Sequence, residues 1–161
     1  MKALVLDLRN NPGGTLTSVI EVARQLLPEG LIVYTEDKNG ERDEYKCDGS
    51  HTLEVPMVVL VNENSASASE ILSGAIKDYG IGKLLGTTTF GKGIVQKVFG
   101  ITDGSAVKLT ISHYYTPNGN SINKVGIQPD VEVKLDSELL NQDEISHDED
   151  NQLQAALDTL K

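Results

Sequence analysis

A chain of 161 residues, 39% hydrophobic and 24% charged, suits one soluble globular domain with a real core and not a disordered or membrane-embedded segment. The formal net charge of −10 and the lack of any Lys/Arg cluster argue against a nucleic-acid partner, because phosphate binding needs clustered cations. A single cysteine, Cys47, excludes an internal disulfide and a cysteine-rich zinc site.

No apolar run approaches membrane-spanning length. Ala3 to Leu6 is too short for a signal-peptide core, and Asp7 and Arg9 follow at once. Ala3 to Leu8 reads as a short buried strand. Asn10-Asn11-Pro12-Gly13-Gly14 breaks it with turn chemistry. Thr15 or Ser18 can cap the next helix, whose apolar positions Val19, Val22, Ala23, Leu26 and Leu27 recur at helical spacing up to the stop Pro28-Glu29-Gly30. The glycine turn can simply join strand to helix, or its N–H groups can hold a developing negative charge.

Leu31 to Thr35 and Glu41 to Cys47 read as an exposed polar hairpin closed by Asn39-Gly40. Pro56 opens an apolar strand through Val58-Val59-Leu60-Val61. It delivers Asn64-Ser65-Ala66-Ser67-Ala68-Ser69-Glu70, small residues that lead into a helix running to Asp78 or Tyr79, with Gly80 as its stop. Lys83 to Gly86, Ile94 to Ile101 and Ala106 to Tyr115 are strand-like, the last two joined by a turn at 102–105. Val131 to Leu135 alternates as a half-buried strand does. Residues 136–150 read as an acidic linker, and 151–161 as an amphipathic C-terminal helix with Leu153, Ala156, Leu157 and Leu160 on one face. There is no internal repeat.

Three serines at a helix start have an ordinary explanation, since hydroxyls cap orphan N–H groups and small side chains let helices pack closely. Thr89-Phe90-Gly91-Lys92-Gly93 adds a second component, a lysine between two glycines followed by apolar strands that can bury it. Serine and lysine together supply a nucleophile and a base. A free lysine with a pKa of about 10.4 is protonated at neutral pH, so the base role requires desolvation, which lowers that value by up to roughly 3 to 5 units.

Two rival motifs are weaker. Gly86 to Gly93 nearly matches the phosphate-binding loop GxxxxGK[ST], but Gly93 replaces the Mg²⁺-binding hydroxyl and a β-branched segment follows where a helix is needed. A serine-histidine-aspartate triad has only His51, in a polar turn, His113, on a strand beside Tyr114-Tyr115, and His147, in the acidic linker. His113 stays open as a base, although a structural or substrate-lining role suits it better.

Leu4 to Gly14, Ser65 to Ile71, Thr89 to Gln96, Tyr114-Tyr115-Thr116-Pro117 and Gly126-Ile127-Gln128-Pro129-Asp130 closely resemble, in the same order, the carboxyl-terminal processing (tail-specific) proteases. The resemblance implies an α/β fold, a crotonase-like or Clp-protease-like core of mixed sheets with flanking helices, and assigns residues 1–135 to the catalytic core. It implies a serine endopeptidase acting near protein C-termini, with Ser67 as nucleophile, Lys92 as base 25 residues later and Gln96 orienting the lysine. The oxyanion hole would use the N–H groups of Ala68 and Gly13, the latter chosen over Gly14. No metal or cofactor is implied. Ser65 and Ser69 remain caps or packing residues. Asn118-Gly119-Asn120 departs from the small-Gly-Arg pattern expected beside the YYTP signature.

The family ordinarily carries a PDZ domain and the opening elements of the core ahead of this strand, so the resemblance implies either an N-terminally truncated chain or a degenerate short protein, missing that substrate-tail reader and part of the core. It implies a partner in the C-terminus of a peptide or protein substrate and action outside the cytoplasm; the missing elements add the expectation that the chain completes its core as a homo-oligomer or by exchanging elements. The alternatives are an inactive peptide-binding or scaffold fragment of the same fold and, further off, a crotonase-type acyl-thioester enzyme.

Overall fold

The computed structural model describes every residue except Asn141 and Asp143. Those two fall within the expected acidic linker, so that part of the linker lies outside the described residues. The first sheet contains β1 (Leu4–Asp7), β4 (Met57–Val61), β5 (Lys83–Gly86) and β8 (Val131–Glu132), in the order β1-β4-β5-β8 with every pair parallel. The second contains β2 (Gly30–Asp37), β3 (Arg42–Cys47), β6 (Ile94–Gly100) and β7 (Ala106–Tyr115), in the antiparallel order β3-β2-β7-β6. Three helices complete the fold: α1 (Leu16–Ala23), α2 (Ala68–Tyr79) and α3 (Asn151–Thr159).

The continuous apolar run of β4 is explained by cover on both faces of a parallel sheet. All five of its residues are buried. Met57, Val59 and Val61 face the main core with Ala23, Ile71, Leu72, Ala75 and Ile76 of α1 and α2. Val58 and Leu60 face the opposite way, packing with Leu85 and with Ala156 of α3. Alternation of side chains along a strand thus splits one hydrophobic segment between two cores.

Four expectations need correction. Helix α1 ends at Ala23, although the helical spacing continues to Leu27; Leu26 and Leu27 N–H both turn back to the Ala23 carbonyl. Pro28 disfavours helical geometry in the residue before it, yet Leu27 remains fully buried. The hairpin of β2 and β3 is exposed only on β3, because β2 lies between β3 and β7 and buries Ile32, Val33, Tyr34 and Thr35. The strand expected over 131–135 pairs only at Val131 and Glu132. Finally, β6 and β7 form a hairpin arm with Val98, Phe99 and Leu109 largely exposed, so these strands do not bury Lys92. Among the described residues β6 is a free sheet edge, with no strand on one side.

The C-terminal helix is pinned beside the first turn. Arg9 donates Nη1 to Asp150 Oδ1 and to Gln152 Oε1, and Nη2 to Asp150 Oδ2 and to Asp7 Oδ2. Asp150 is also the N-cap of α3, accepting from Gln152 and Leu153 N–H. Its side chain is only 8% exposed, and burial opposes its charge. The hydrogen bonds from Arg9 and Leu153 N–H outweigh burial and hold the carboxyl below its ordinary range. A depressed folded pKa stabilises above the unfolded value of about 3.9, and that contribution is lost as pH falls through the folded value. Asp150→Ala should therefore cost about 2 kcal/mol at neutral pH, by removing the cap of α3 and one of the two carboxylates paired with Arg9, which keeps Asp7. The deficit should shrink below about pH 4, as read by urea unfolding across pH.

Candidate active site

Strand β4 runs through a tight turn into α2, and Ser67 stands at the junction. Its backbone adopts φ 55°, ψ −113°, a costly conformation for a residue with a Cβ that recurs at functional turns. Its hydroxyl faces the Glu70 N–H in a capping-box arrangement without a fully formed hydrogen bond, and the residue is half-buried. The flanking serines are tethers. Buried Ser65 Oγ donates to the Leu8 carbonyl and accepts from Asn62 N–H, and Ser69 Oγ donates to the Asn11 carbonyl.

Three residues after Ser67, Glu70 is fully buried. Its Oε2 accepts the N–H of Ser67 at 2.9 Å and the N–H of Lys92 at 2.8 Å. Its Oε1 accepts the N–H of Gly91 and the hydroxyl of Thr89, each at 2.6 Å. Thr89 Oγ1 in turn accepts Ile127 N–H. One oxygen therefore joins the backbones of the two residues singled out as nucleophile and base. The sequence reading did not give Glu70 this role, although Ser67-Ala68-Ser69-Glu70 has the spacing of a capping box.

The glycines either side of Lys92 permit a close passage. A Cβ on Gly93 would lie 2.3 Å from Asn123 N, and one on Gly91 3.1 Å from the Val125 and Gly126 nitrogens. The Lys92 side chain itself is exposed. Among the described residues its ammonium makes no hydrogen bond or ion pair, and neither Ser67 Oγ nor Gln96 is bonded to it. Gln96 lies on β6, exposed, across a register irregularity between Val95 and Gln96. The backbones of Ser67 and Lys92 are brought together, whereas the side-chain links expected among Ser67, Lys92 and Gln96 are not formed.

The glycine turn lies against the serine turn. A Cβ on Gly13 would meet Ala66 O at 2.6 Å and Ala68 N at 2.7 Å, whereas one on Gly14 would meet nothing within 4 Å. Gly13 N–H donates to Asn11 Oδ1 at 2.9 Å. Among the described residues, the N–H groups of Gly14 and Ala68 have no acceptor. Gly13, Gly14 and Ala68 stand at one cleft of about 390 Å³, walled by Leu8, Val19 and Leu72. It offers unpaired donors at its rim and an apolar interior, which suits a polarised carbonyl with a hydrophobic side chain beside it.

Two outcomes follow from these contacts. Glu70→Ala should lower stability by about 3 kcal/mol, because four donors, two of them buried, lose their acceptor, as measured by urea denaturation. Gly13→Ala should be destabilising and Gly14→Ala nearly neutral in thermal melts, since only the first places a methyl against backbone atoms.

Peptidase family S41 matches residues 1–133. The carboxyl-terminal-processing protease of Synechocystis sp. is 46% identical over 97% of this chain and 36% of that protein. A chloroplastic C-terminal processing peptidase of Tetradesmus obliquus is 49% identical over 87% of this chain and 30% of its own length. Among solved structures, a photosystem II D1 C-terminal processing protease superposes with a TM-score of 0.79 at 47% identity, covering 83% of this chain and 35% of that one. A putative S41 protease from Bacteroides fragilis, at 23% identity, shares the fold with a TM-score of 0.77 over 99% of this chain and 44% of that one. The chain spans about a third of the length of the curated relatives it matches. On the matched residues and these identities, the chain belongs to peptidase family S41.

Proposed function

We propose that this chain carries the nucleophile and base of a serine endopeptidase that cleaves proteins near their C-termini. The observation that carries this reading is the shared Glu70 oxygen between the Ser67 and Lys92 amides, at a strained turn. Ser67 Oγ attacks the peptide carbonyl while the neutral Lys92 amine takes its proton. The carbonyl oxygen, now negative, is held by Ala68 N–H and by an N–H of the glycine turn. Collapse breaks the C–N bond, the Lys92 ammonium returns the proton to the leaving amine, and water then hydrolyses the acyl-enzyme.

Gly14 suits the second donor position better than Gly13, whose N–H is already bonded to Asn11. The apolar cleft beside these donors suits a hydrophobic side chain of the acyl residue. Lys92 is exposed, so its action as a base depends on being covered when substrate binds, desolvation being what favours the neutral amine. Gln96 would orient it in that covered state. The names of the relatives, C-terminal processing proteases and a chloroplastic peptidase among them, support protein substrates and action outside the cytoplasm. Among the described residues no helix is long and apolar enough to cross a membrane.

The exposed Lys92 also favours a second reading, a peptide-binding segment whose dyad is not assembled. Labelling by a fluorophosphonate probe across pH separates the two. A working dyad gives labelling at Ser67 that rises with pH and is lost in Ser67→Ala and Lys92→Ala. Folded wild-type protein that stays unlabelled at every pH would overturn the endopeptidase reading for this chain and leave the binding module.

A further inference from the structure

The five-residue turn from Asn10 to Gly14 is held at more points than a strand-to-helix connection needs. Asn10, at φ 55°, donates its N–H to Asn62 Oδ1 and accepts at Oδ1 from the side-chain amides of Asn62 and Asn64. The Asn11 carbonyl accepts Ala66 N–H and Ser69 Oγ, one on each side of Ser67. The Asn11 side chain then closes on its own loop, with Oδ1 accepting Gly13 N–H. This last contact contributes little to cohesion, because Asn11 is exposed and the bond is local. Its consequence is directional: it commits one of two adjacent glycine N–H groups and leaves the other.

We infer that Asn11 is a positioning residue for the oxyanion hole, holding the Gly13 N–H on its own carboxamide so that the Gly14 N–H stands in the cleft beside that of Ala68. The inference rests on Ser67 being the nucleophile. Successive N–H groups in a glycine turn can point into one concavity or be divided between two acceptors, and an Asx turn divides them by taking the N–H two residues on. With Gly13 packed against Ala66 O and Ala68 N, the turn cannot slide toward α2. The Asn11 carboxamide fixes the Pro12–Gly13 peptide, which carries the Gly13 N–H, and with the Gly13 Cα wedged against Ala66 O and Ala68 N this sets the starting direction of the Gly13–Gly14 peptide that follows. Preorganised donors act by costing no reorganisation when charge develops, so releasing this restraint should slow the chemical step and leave probe binding alone.

Asn11→Ala removes the acceptor and keeps the backbone carbonyl that tethers Ala66 and Ser69. Asn11→Ser keeps a weaker acceptor for the same N–H. The limiting rate of fluorophosphonate labelling at saturating probe should fall about tenfold in Asn11→Ala, part of the 10²–10³ that losing a donor outright costs, and by less in Asn11→Ser. The half-saturating probe concentration and the melting temperature should not move. In ¹⁵N-labelled wild-type protein, labelling should shift the Gly14 amide proton downfield and leave that of Gly13 in place. A limiting rate unchanged in Asn11→Ala, a fall matched by lost thermal stability, or a shift at Gly13 instead of Gly14 would overturn the positioning role alone. Failure of the wild type to label at Ser67 would overturn the nucleophile assignment, and the positioning role with it.

Discussion

The Glu70 carboxylate is the contact on which the arrangement of the site depends. It lies fully inside the protein and is surrounded by donors: two amides and a hydroxyl from the segment 89–92, and the amide of Ser67. A carboxylate offers four lone-pair positions and no proton, so one side chain can close the N-terminus of α2 and the irregular loop after β5 together. Backbone groups in such a loop would otherwise be buried without partners, which is costly. Through Thr89 the arrangement extends to Ile127, so two segments distant in sequence are fixed to one helix end.

Around that centre the fold supplies rigidity on one side and openness on the other. The parallel sheet is covered on both faces, by α1 and α2 and by α3, and it delivers the glycine turn from β1 and the serine turn from β4 as neighbours, because those strands pair in register from Leu4 opposite Met57 to Asp7 opposite Leu60. Arg9, at the end of β1, ties α3 to the same corner. The antiparallel sheet ends instead in a free edge and an exposed hairpin arm, and Lys92 stands where that arm begins. Ser67, the proposed nucleophile, is thus set in the better-packed part of the molecule and Lys92, the proposed base, at the margin of the less covered part.

The order of elements, a cap for α1 and the stop of α2 were legible in the sequence, whereas Asp150, the cap of α3, was read only as part of an acidic linker. Thr15 caps α1, accepting Ser18 N–H, and Gly80 closes α2 in left-handed geometry. These are local events decided by residue chemistry within a turn of chain. Ser67 and Lys92 drew attention through the turn chemistry around them, and the resemblance of five sequence blocks identified the family that the comparisons bear out. Where reading by pattern erred, tertiary context was the reason: β2 is buried because it is central, and Leu26 and Leu27 keep core spacing after their helix has ended.

The sequence by itself determined the alternation of strand, glycine or serine turn and helix, because hydrophobic period and turn residues act over a few positions. Only the tertiary structure decided which donors are committed and which are open. That Gly13 N–H is taken by Asn11, that Glu70 unites the amides of Ser67 and Lys92, and that Lys92 lacks the burial its neighbours promised are matters of long-range placement. A hydrogen bond depends on distance and direction between groups that chain order leaves far apart, and burial depends on which layers meet. Neither is written in the spacing of residues along one segment.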